Sequence, residues 1–103
     1  MSVITLNSKN FETEVLQSTK PVLVDFWASW CGPCRMMSPV VESVAESTTE
    51  AVVGKVNVDD EPELARKYGV MSIPTLAVFK NGQPVKKSVG AKSKEAVLQL
   101  LKD

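Results

Sequence analysis

Two cysteines separated by two residues, Cys31 and Cys34, are the side chains of this sequence whose type and spacing most clearly suggest chemistry. They lie in the stretch WCGPC, which begins at Trp30, and no other position supplies a thiol. When the first of two such thiols sits at a helix start, one helical turn brings the second sulfur within bonding reach. The pair can then close a small disulfide ring, and it can take two electrons from a partner or return them.

The helix predicted to follow places Cys31 at its N-terminal end, where unpaired backbone N–H groups and the helix dipole stabilise a thiolate. We therefore expect the pKa of Cys31 to lie below the ~8.5 of a free thiol. A Cys31 thiolate that attacks a substrate disulfide forms a mixed disulfide, and Cys34 then attacks Cys31 and releases the reduced substrate. From the residues alone, two other interpretations stay open: an inert buried pair, or half of a zinc site shared between chains.

Asp25 is the next candidate, because it interrupts the apolar run 22–28, which predicts a central strand covered on both faces. Burial raises the pKa of a carboxyl group, so Asp25 could accept the proton of Cys34 near neutral pH. The alternative is a structural acid bonded to nearby backbone amides. Lys55, on the predicted neighbouring strand, could pair with Asp25 or could equally be a solvated lysine at a strand end.

The composition excludes several other kinds of site. Histidine is absent, which rules out Cys–His and Ser–His nucleophile systems and would leave zinc only two thiolates in one chain. The 12 basic and 12 acidic residues cancel, so no basic field favours nucleic acid and no polybasic patch favours a membrane surface. We find neither a secretory signal nor an apolar run near the ~20 residues of a membrane span, and we expect a cytoplasmic, reducing location.

The elements that must position these residues alternate along the chain. Strands are predicted at 3–6, 22–28, 51–58, 75–79 and 85–89. Helices are predicted after Asn7 or Ser8, from Cys34 to about Ser47 with a kink at Pro39, from about Asp59 to Tyr68, and after Ser93. Asn81-Gly82 predicts a hairpin turn and Pro84 an edge strand. The length fits a single domain, 1–103, of the α/β class, with a mixed sheet and helices on both faces.

In this order and spacing the chain resembles the thioredoxin family over essentially its full length. The segments that carry the resemblance are Val24–Cys34, Lys55–Asp59, Ile73–Leu76, Asn81-Gly82 and Val89–Ala91. The resemblance implies the thioredoxin fold, with a central mixed sheet of about five strands flanked by about four helices. It also implies a protein disulfide reductase in which Cys31 is the nucleophile and Cys34 the resolving thiol.

The resemblance assigns roles to further residues. Asp25 becomes the buried proton acceptor with Lys55 as its neighbour, and Pro74 becomes a cis proline beside the dithiol. Ile73 would offer its backbone to a bound substrate strand. The expected docking surface consists of Trp30, Gly32, Pro33, Val58, Ile73, Pro74, Gly90 and Ala91.

The resemblance also implies partners. A thioredoxin reductase, of the NADPH and flavin type or the ferredoxin type, would recharge the pair. Clients would include ribonucleotide reductase, peroxiredoxins and methionine sulfoxide reductases, and we expect a monomer with no cofactor other than the Cys31–Cys34 disulfide. Met71-Ser72 stands where many relatives carry arginine or glycine, and this difference bears on client preference.

Three competing functions make different predictions. An oxidase or isomerase domain of the same fold predicts a secretory signal and usually a histidine between the cysteines, and this sequence shows neither. A scaffold or interaction subunit without redox turnover predicts that Cys31→Ser keeps function. A shared zinc site predicts stoichiometric metal and dimerisation.

Overall fold

The computed structural model of the chain describes residues 2–102, in which strands and helices alternate as the sequence predicts. The strands are β1 (Ile4–Thr5), β2 (Val22–Trp27), β3 (Val52–Asn57), β4 (Thr75–Lys80) and β5 (Gln83–Val89). The helical segments are a turn of π-helix (Glu12–Leu16), α1 (Gly32–Ser47), α2 (Pro62–Lys67) and α3 (Lys94–Lys102). None of the helices in this part of the chain is long and apolar enough to cross a membrane.

The five strands form one mixed sheet in the order β1-β3-β2-β4-β5. β1, β3 and β2 are parallel to one another, whereas β4 is antiparallel to β2 and β5 is antiparallel to β4. The helical crossover from β2 through α1 to β3 explains the parallel pairing. The predictions of a central strand around Asp25 and an edge strand around Pro84 are both confirmed.

The side chains of the central strands alternate between two cores, as the period of a strand requires. In β2, Val24 and Phe26 belong to the core that lies under the π-helical turn and α2. Leu23, on the opposite face, belongs to the core under α1 and α3. The same alternation places Asp25 on the α1 face, on the side of the sheet that carries the cysteines.

Helix α1 begins at Gly32, two residues before the predicted start at Cys34. Pro33 fits the first turn, because its fixed φ is helical and its missing N–H has no partner to lose there. Cys31 is the N-cap, and its Sγ accepts a hydrogen bond from the backbone N–H of Cys34 at 3.2 Å. Pro39 lies inside the helix; the kink at that residue stays a prediction.

The largest difference from the sequence-based predictions lies in the first helical segment. A regular amphipathic helix was expected from Asn7 or Ser8, but the segment Glu12–Leu16 forms a turn of π-helix. The carboxamide oxygen of Asn7 accepts hydrogen bonds from the backbone N–H groups of Lys9 and Asn10, at 2.8 and 3.0 Å, so it caps the turn before this segment. The apolar spacing of Phe11 and Val15 buries both side chains but does not distinguish a π-helical turn from an α-helix.

Gly54 occupies a crowded position between β1 and β2. A Cβ atom there would lie 2.5 Å from Cδ1 and 2.9 Å from Cγ of the buried Leu6. We expect Gly54→Ala to lower the free energy of unfolding by about 1–3 kcal/mol, because Leu6 must shift within a packed core. Urea denaturation of the variant measures the change.

The control for this prediction is Gly32→Ala, also judged by stability alone. A Cβ atom at Gly32 would have no neighbouring atom within 4 Å, and the residue lies in the first turn of α1. We expect this variant to be as stable as the parent chain or slightly more stable. Equal stabilities of the two variants would contradict the close packing of Leu6 on β3.

Candidate active site

Cys31 and Cys34 form a disulfide at the N-terminal end of α1. Their Cα atoms are 5.2 Å apart, within the range of disulfide-bonded residues. Both side chains are buried, and they pack with Ala28 at the point where the chain leaves β2. When the pair is reduced, the Cys34 N–H and the start of α1 lie where they stabilise a thiolate on Cys31.

Asp25 is a buried carboxyl group on the same side of the sheet. Its side chain is 4% exposed, and Oδ1 has no hydrogen-bond partner among the described residues. Burial raises the pKa of Asp25 from 3.8 to about 7, and the positive charge of Lys55 partly opposes this rise. The expected burial and raised pKa are confirmed, whereas backbone amides of the kind that a structural acid would use do not satisfy Oδ1.

A pocket of about 120 Å³ joins Asp25 to Cys34. Trp27, Arg35, Ser38 and Lys55 complete its walls. A water molecule takes about 30 Å³ of liquid volume, so the pocket has room for water between the carboxyl group and the sulfur. This arrangement can carry a proton between Cys34 and Asp25.

Lys55 is the direct neighbour of Asp25 across the parallel strands β2 and β3. Its ammonium group lies 5.5 Å from the centroid of the Trp27 ring, and the side chain is half-buried. Of the two interpretations that the sequence left open, the structure therefore favours the electrostatic neighbour of Asp25 over a freely solvated lysine.

We expect Lys55→Met to raise the pKa of Asp25 above about 7, because the variant removes the charge that holds this pKa down. NMR titration of the Asp25 carboxyl carbon measures the change. Lys55→Arg is the matched control, since it keeps the charge and should leave the pKa below that of the methionine variant. A pKa of Asp25 that stays unchanged or falls in Lys55→Met would show that the charge of Lys55 does not reach the carboxyl group.

The segment around Ile73, just before β4, lies next to the disulfide. The Ile73 carbonyl oxygen is 3.8 Å from Sγ of Cys31, and Val58 packs with Ile73 against the cysteines. The Ile73–Pro74 peptide bond is cis. Gly90 donates its backbone N–H to the carbonyl oxygen of Pro74 at 2.8 Å, which brings the 90–91 segment, and with it Ala91, alongside Pro74.

Trp30 forms the other side of this surface, beside Gly32 and Pro33. Its side chain is 67% exposed, so most of the ring is open to solvent. The indole N–H donates to a carboxylate oxygen of Asp59 at 2.9 Å, which fixes the orientation of the ring. Exposed aromatic side chains are typical of contact surfaces. The structure thus places Val58 and Ile73 against the cysteines and Gly90 beside Pro74. That all eight residues form the docking surface stays a prediction.

Three contributors were missed by the sequence analysis. Ser38 lies four residues after Cys34, and this helical spacing could have placed it beside the pocket. The guanidinium group of Arg35, another wall of the pocket, donates to the carbonyl oxygen of Ser29 at 2.9 Å. Asp59 was expected to begin the next helix, but α2 begins at Pro62, and the Asp59 carboxylate accepts the hydrogen bond of the Trp30 indole instead. No pattern of neighbouring residues indicates a contact such as that of Trp30 with Asp59, which lie far apart in the sequence.

Among the described residues, no group of three or more histidine, cysteine, aspartate or glutamate side chains is placed to hold a metal ion. Both sulfurs belong to the disulfide, so neither is a free thiolate in this state.

Comparison with known proteins extends the similarity over the whole chain. The family model described as Thioredoxin matches residues 2–103. A thioredoxin of Mycobacterium bovis is 55% identical over 103 residues, which cover 99% of this chain and 89% of that protein. A thioredoxin of Alicyclobacillus acidocaldarius is 52% identical over 103 residues, covering 99% and 97% of the two chains.

A further relative is a much longer protein. A Mycobacterium leprae protein named bifunctional thioredoxin reductase/thioredoxin is 52% identical over 101 residues, which cover 97% of this chain and 22% of that protein. The five-stranded mixed sheet and the Cys31–Cys34 disulfide at a helix N-terminus agree with these matches. The chain belongs to the thioredoxin family, whose members are thiol–disulfide oxidoreductases.

Proposed function

We propose that this chain is a single-domain, monomeric electron carrier that reduces disulfides of client proteins in the cytoplasm. The observation that carries the proposal is the Cys31–Cys34 disulfide, placed between the buried Asp25 and an exposed apolar surface. A radius of gyration of 12.1 Å supports one domain over residues 1–103, since a compact domain of 100 residues has about 13 Å. A pair that must return to the dithiol state needs a reducing compartment, which supports the cytoplasm.

The reaction begins when the client chain docks on the exposed surface around Cys31. The Ile73 carbonyl is one backbone group that an extended client segment can reach, and Trp30 offers an aromatic face. The Cys31 thiolate attacks one sulfur of the client disulfide, the client S–S bond breaks, and the second client sulfur leaves as a thiolate. The product is a mixed disulfide between Cys31 and the client.

Cys34 resolves the mixed disulfide. The Asp25 carboxylate takes the proton of the Cys34 thiol through the pocket that both residues line. The Cys34 thiolate then attacks Sγ of Cys31, the Cys31–client bond breaks, and the client leaves with both sulfurs reduced. The client has been reduced by two electrons, and the Cys31–Cys34 pair has been oxidised to the disulfide. No bound cofactor is needed for these steps.

The proposed electron source is a thioredoxin reductase of the NADPH and flavin type or of the ferredoxin type. The name of the Mycobacterium leprae relative joins a thioredoxin reductase and a thioredoxin in one chain, which supports such a partner for this one. Ribonucleotide reductase, peroxiredoxins and methionine sulfoxide reductases are the proposed clients.

Reduction of insulin, followed as the turbidity of its released chains, tests the proposal with three electron sources. These are dithiothreitol, NADPH with a flavin thioredoxin reductase, and reduced ferredoxin with its thioredoxin reductase. We expect turnover with dithiothreitol and with one of the two reductases. Failure with dithiothreitol would overturn the reductase function, whereas turnover with dithiothreitol and with neither reductase would overturn only the proposed partner.

A further inference from the structure

Met71 is an unusually exposed apolar side chain beside the active site. Its side chain is 95% exposed, compared with 72% for Met36 and 67% for Trp30. Met37, in contrast, is 1% exposed, and its sulfur accepts a hydrogen bond from the backbone N–H of Lys92 at 3.2 Å. Met36, Met37 and Met71, three of the four methionines of the chain, therefore offer very different access to a dissolved oxidant.

The segment that carries Met71 is anchored on both sides. The backbone N–H of Val70 donates to the carbonyl oxygen of Ala65 at 2.9 Å, and the Val70 side chain packs on the core. On the other side, Ile73 packs against the cysteines. Because Met71 is two residues from Ile73, their Cα atoms lie within about 7 Å of each other. The anchored loop thus presents the thioether at the margin of the docking surface.

We propose that Met71 is an oxidation-sensitive contact of the docking surface, where conversion to the sulfoxide by a peroxide weakens binding of client proteins. This inference rests on the proposed reductase function and adds a regulation to it. In the reaction the thioether sulfur attacks one peroxide oxygen and forms an S–O bond while the O–O bond breaks. The sulfur loses two electrons, and with hydrogen peroxide the second oxygen leaves as water.

The consequence follows from the change in polarity. A thioether is apolar and adaptable, and it suits contacts with varied partners. A sulfoxide is polar and keeps its water, so a client must remove that water in order to dock. We expect client binding to weaken while the cysteine chemistry, which Met71 does not touch, stays intact. Methionine sulfoxide reductases can restore the thioether, and they are among the proposed clients, so the modification would be reversible.

The experiment starts from the disulfide form, in which Cys31 and Cys34 are protected from mild peroxide. The protein is treated with hydrogen peroxide, desalted, and mapped by peptide mass spectrometry. Dithiothreitol then reduces the disulfide and leaves the sulfoxide in place. KM and kcat are measured with insulin and with the small aromatic disulfide dithiobis(nitrobenzoate).

We expect oxidation at Met71 first, then at Met36, with Met37 protected. The KM for insulin should rise about five-fold, equivalent to about 1 kcal/mol, with kcat unchanged. The small disulfide should react as before, because it has no polypeptide segment that must dock on the surface beside Met71. Oxidation of Met36 or Met37 ahead of Met71, or an unchanged insulin KM after Met71 is oxidised, would overturn the inference.

Two variants separate Met71 from the other methionines. In Met71→Leu the KM for insulin should no longer respond to peroxide, whereas in Met36→Leu the response should persist; the reverse pattern would overturn the inference. Met71→Gln, which places a polar side chain there, should raise the insulin KM without any oxidant. Untreated protein that reduces neither disulfide would instead refute the proposed function itself, so the two failures are distinguishable.

Discussion

Cys34→Ser will hold client proteins covalently on Cys31, and Cys31→Ser will abolish the exchange. Cys31 is the N-cap of α1, where the backbone N–H of Cys34 and the helix dipole stabilise its thiolate, and it borders the exposed Trp30. Cys34 lies within the helix and faces the pocket shared with Asp25. The two thiols therefore have different tasks, and removing each one stops the reaction at a different step.

For Cys31→Ser we expect insulin reduction to fall by at least about 10³-fold, as when other enzymes lose a nucleophile. For Cys34→Ser we expect a mixed disulfide with the client that is visible on a non-reducing gel and is cleaved by dithiothreitol. The double variant is the matched control and should form no adduct. Trapping through Cys34 in the Cys31→Ser variant would reverse the assigned roles, and full activity of both single variants would favour the scaffold function.

The second large effect is on stability. We expect the Asp25→Ala variant to gain stability relative to the parent chain as the pH rises from about 4 to about 7. The pKa of Asp25 is about 7 in the folded protein and 3.8 without burial, so between these values the folded chain holds a proton that the unfolded chain has lost. The free energy of unfolding of the parent chain therefore falls over this interval and is constant, as far as Asp25 is concerned, on either side.

At 1.36 kcal/mol per pKa unit, this loss is about 4 kcal/mol. Urea denaturation of the disulfide form at pH 4 and pH 8 measures the difference between the parent and the variant. Any packing lost with the side chain is the same at both pH values and cancels in this comparison. A stability difference that does not change with pH would show that folding does not raise the pKa of Asp25.

The same variant should slow the release of mixed disulfides near neutral pH, because Cys34 loses its proton acceptor. Cys34 should then need a higher pH to resolve the adduct, and the rate profile should shift toward alkaline pH. Asp25→Asn, which keeps the shape of the side chain, should show the same shift. An unchanged profile in both variants would remove Asp25 from the proton path.

Much of the fold follows from short-range signals in the sequence. The apolar run of β2 predicts a strand covered on both faces, and the structure places it at the centre of the sheet. Asn81-Gly82 predicts a hairpin, and both residues have positive φ, 54° and 78°. Ser93 is predicted to cap the last helix, and its hydroxyl accepts the backbone N–H of Ala96 at 3.2 Å. In each case a few neighbouring residues determine the local conformation.

The features that sequence reasoning missed depend on contacts between distant segments. The bond between Trp30 and Asp59 joins residues 29 positions apart, so neither residue signals it. The approach of Ile73 to the cysteines was expected from the family resemblance and not from any periodicity. Similarly, the apolar spacing of Phe11 and Val15 also fits an α-helix, and the π-helical turn is distinguished by the hydrogen bond from the Gln17 N–H to the Glu12 carbonyl oxygen, at 2.9 Å.

The reduction potential of the Cys31–Cys34 pair, measured by equilibration against a dithiothreitol redox buffer, tests the central claim most directly. An electron donor to protein disulfides must be more reducing than the glutathione pool, so we predict a value below about −260 mV. A value well above about −200 mV would point to an oxidase or isomerase. Failure of the two cysteines to form a reversible disulfide in solution would contradict the reductase function altogether.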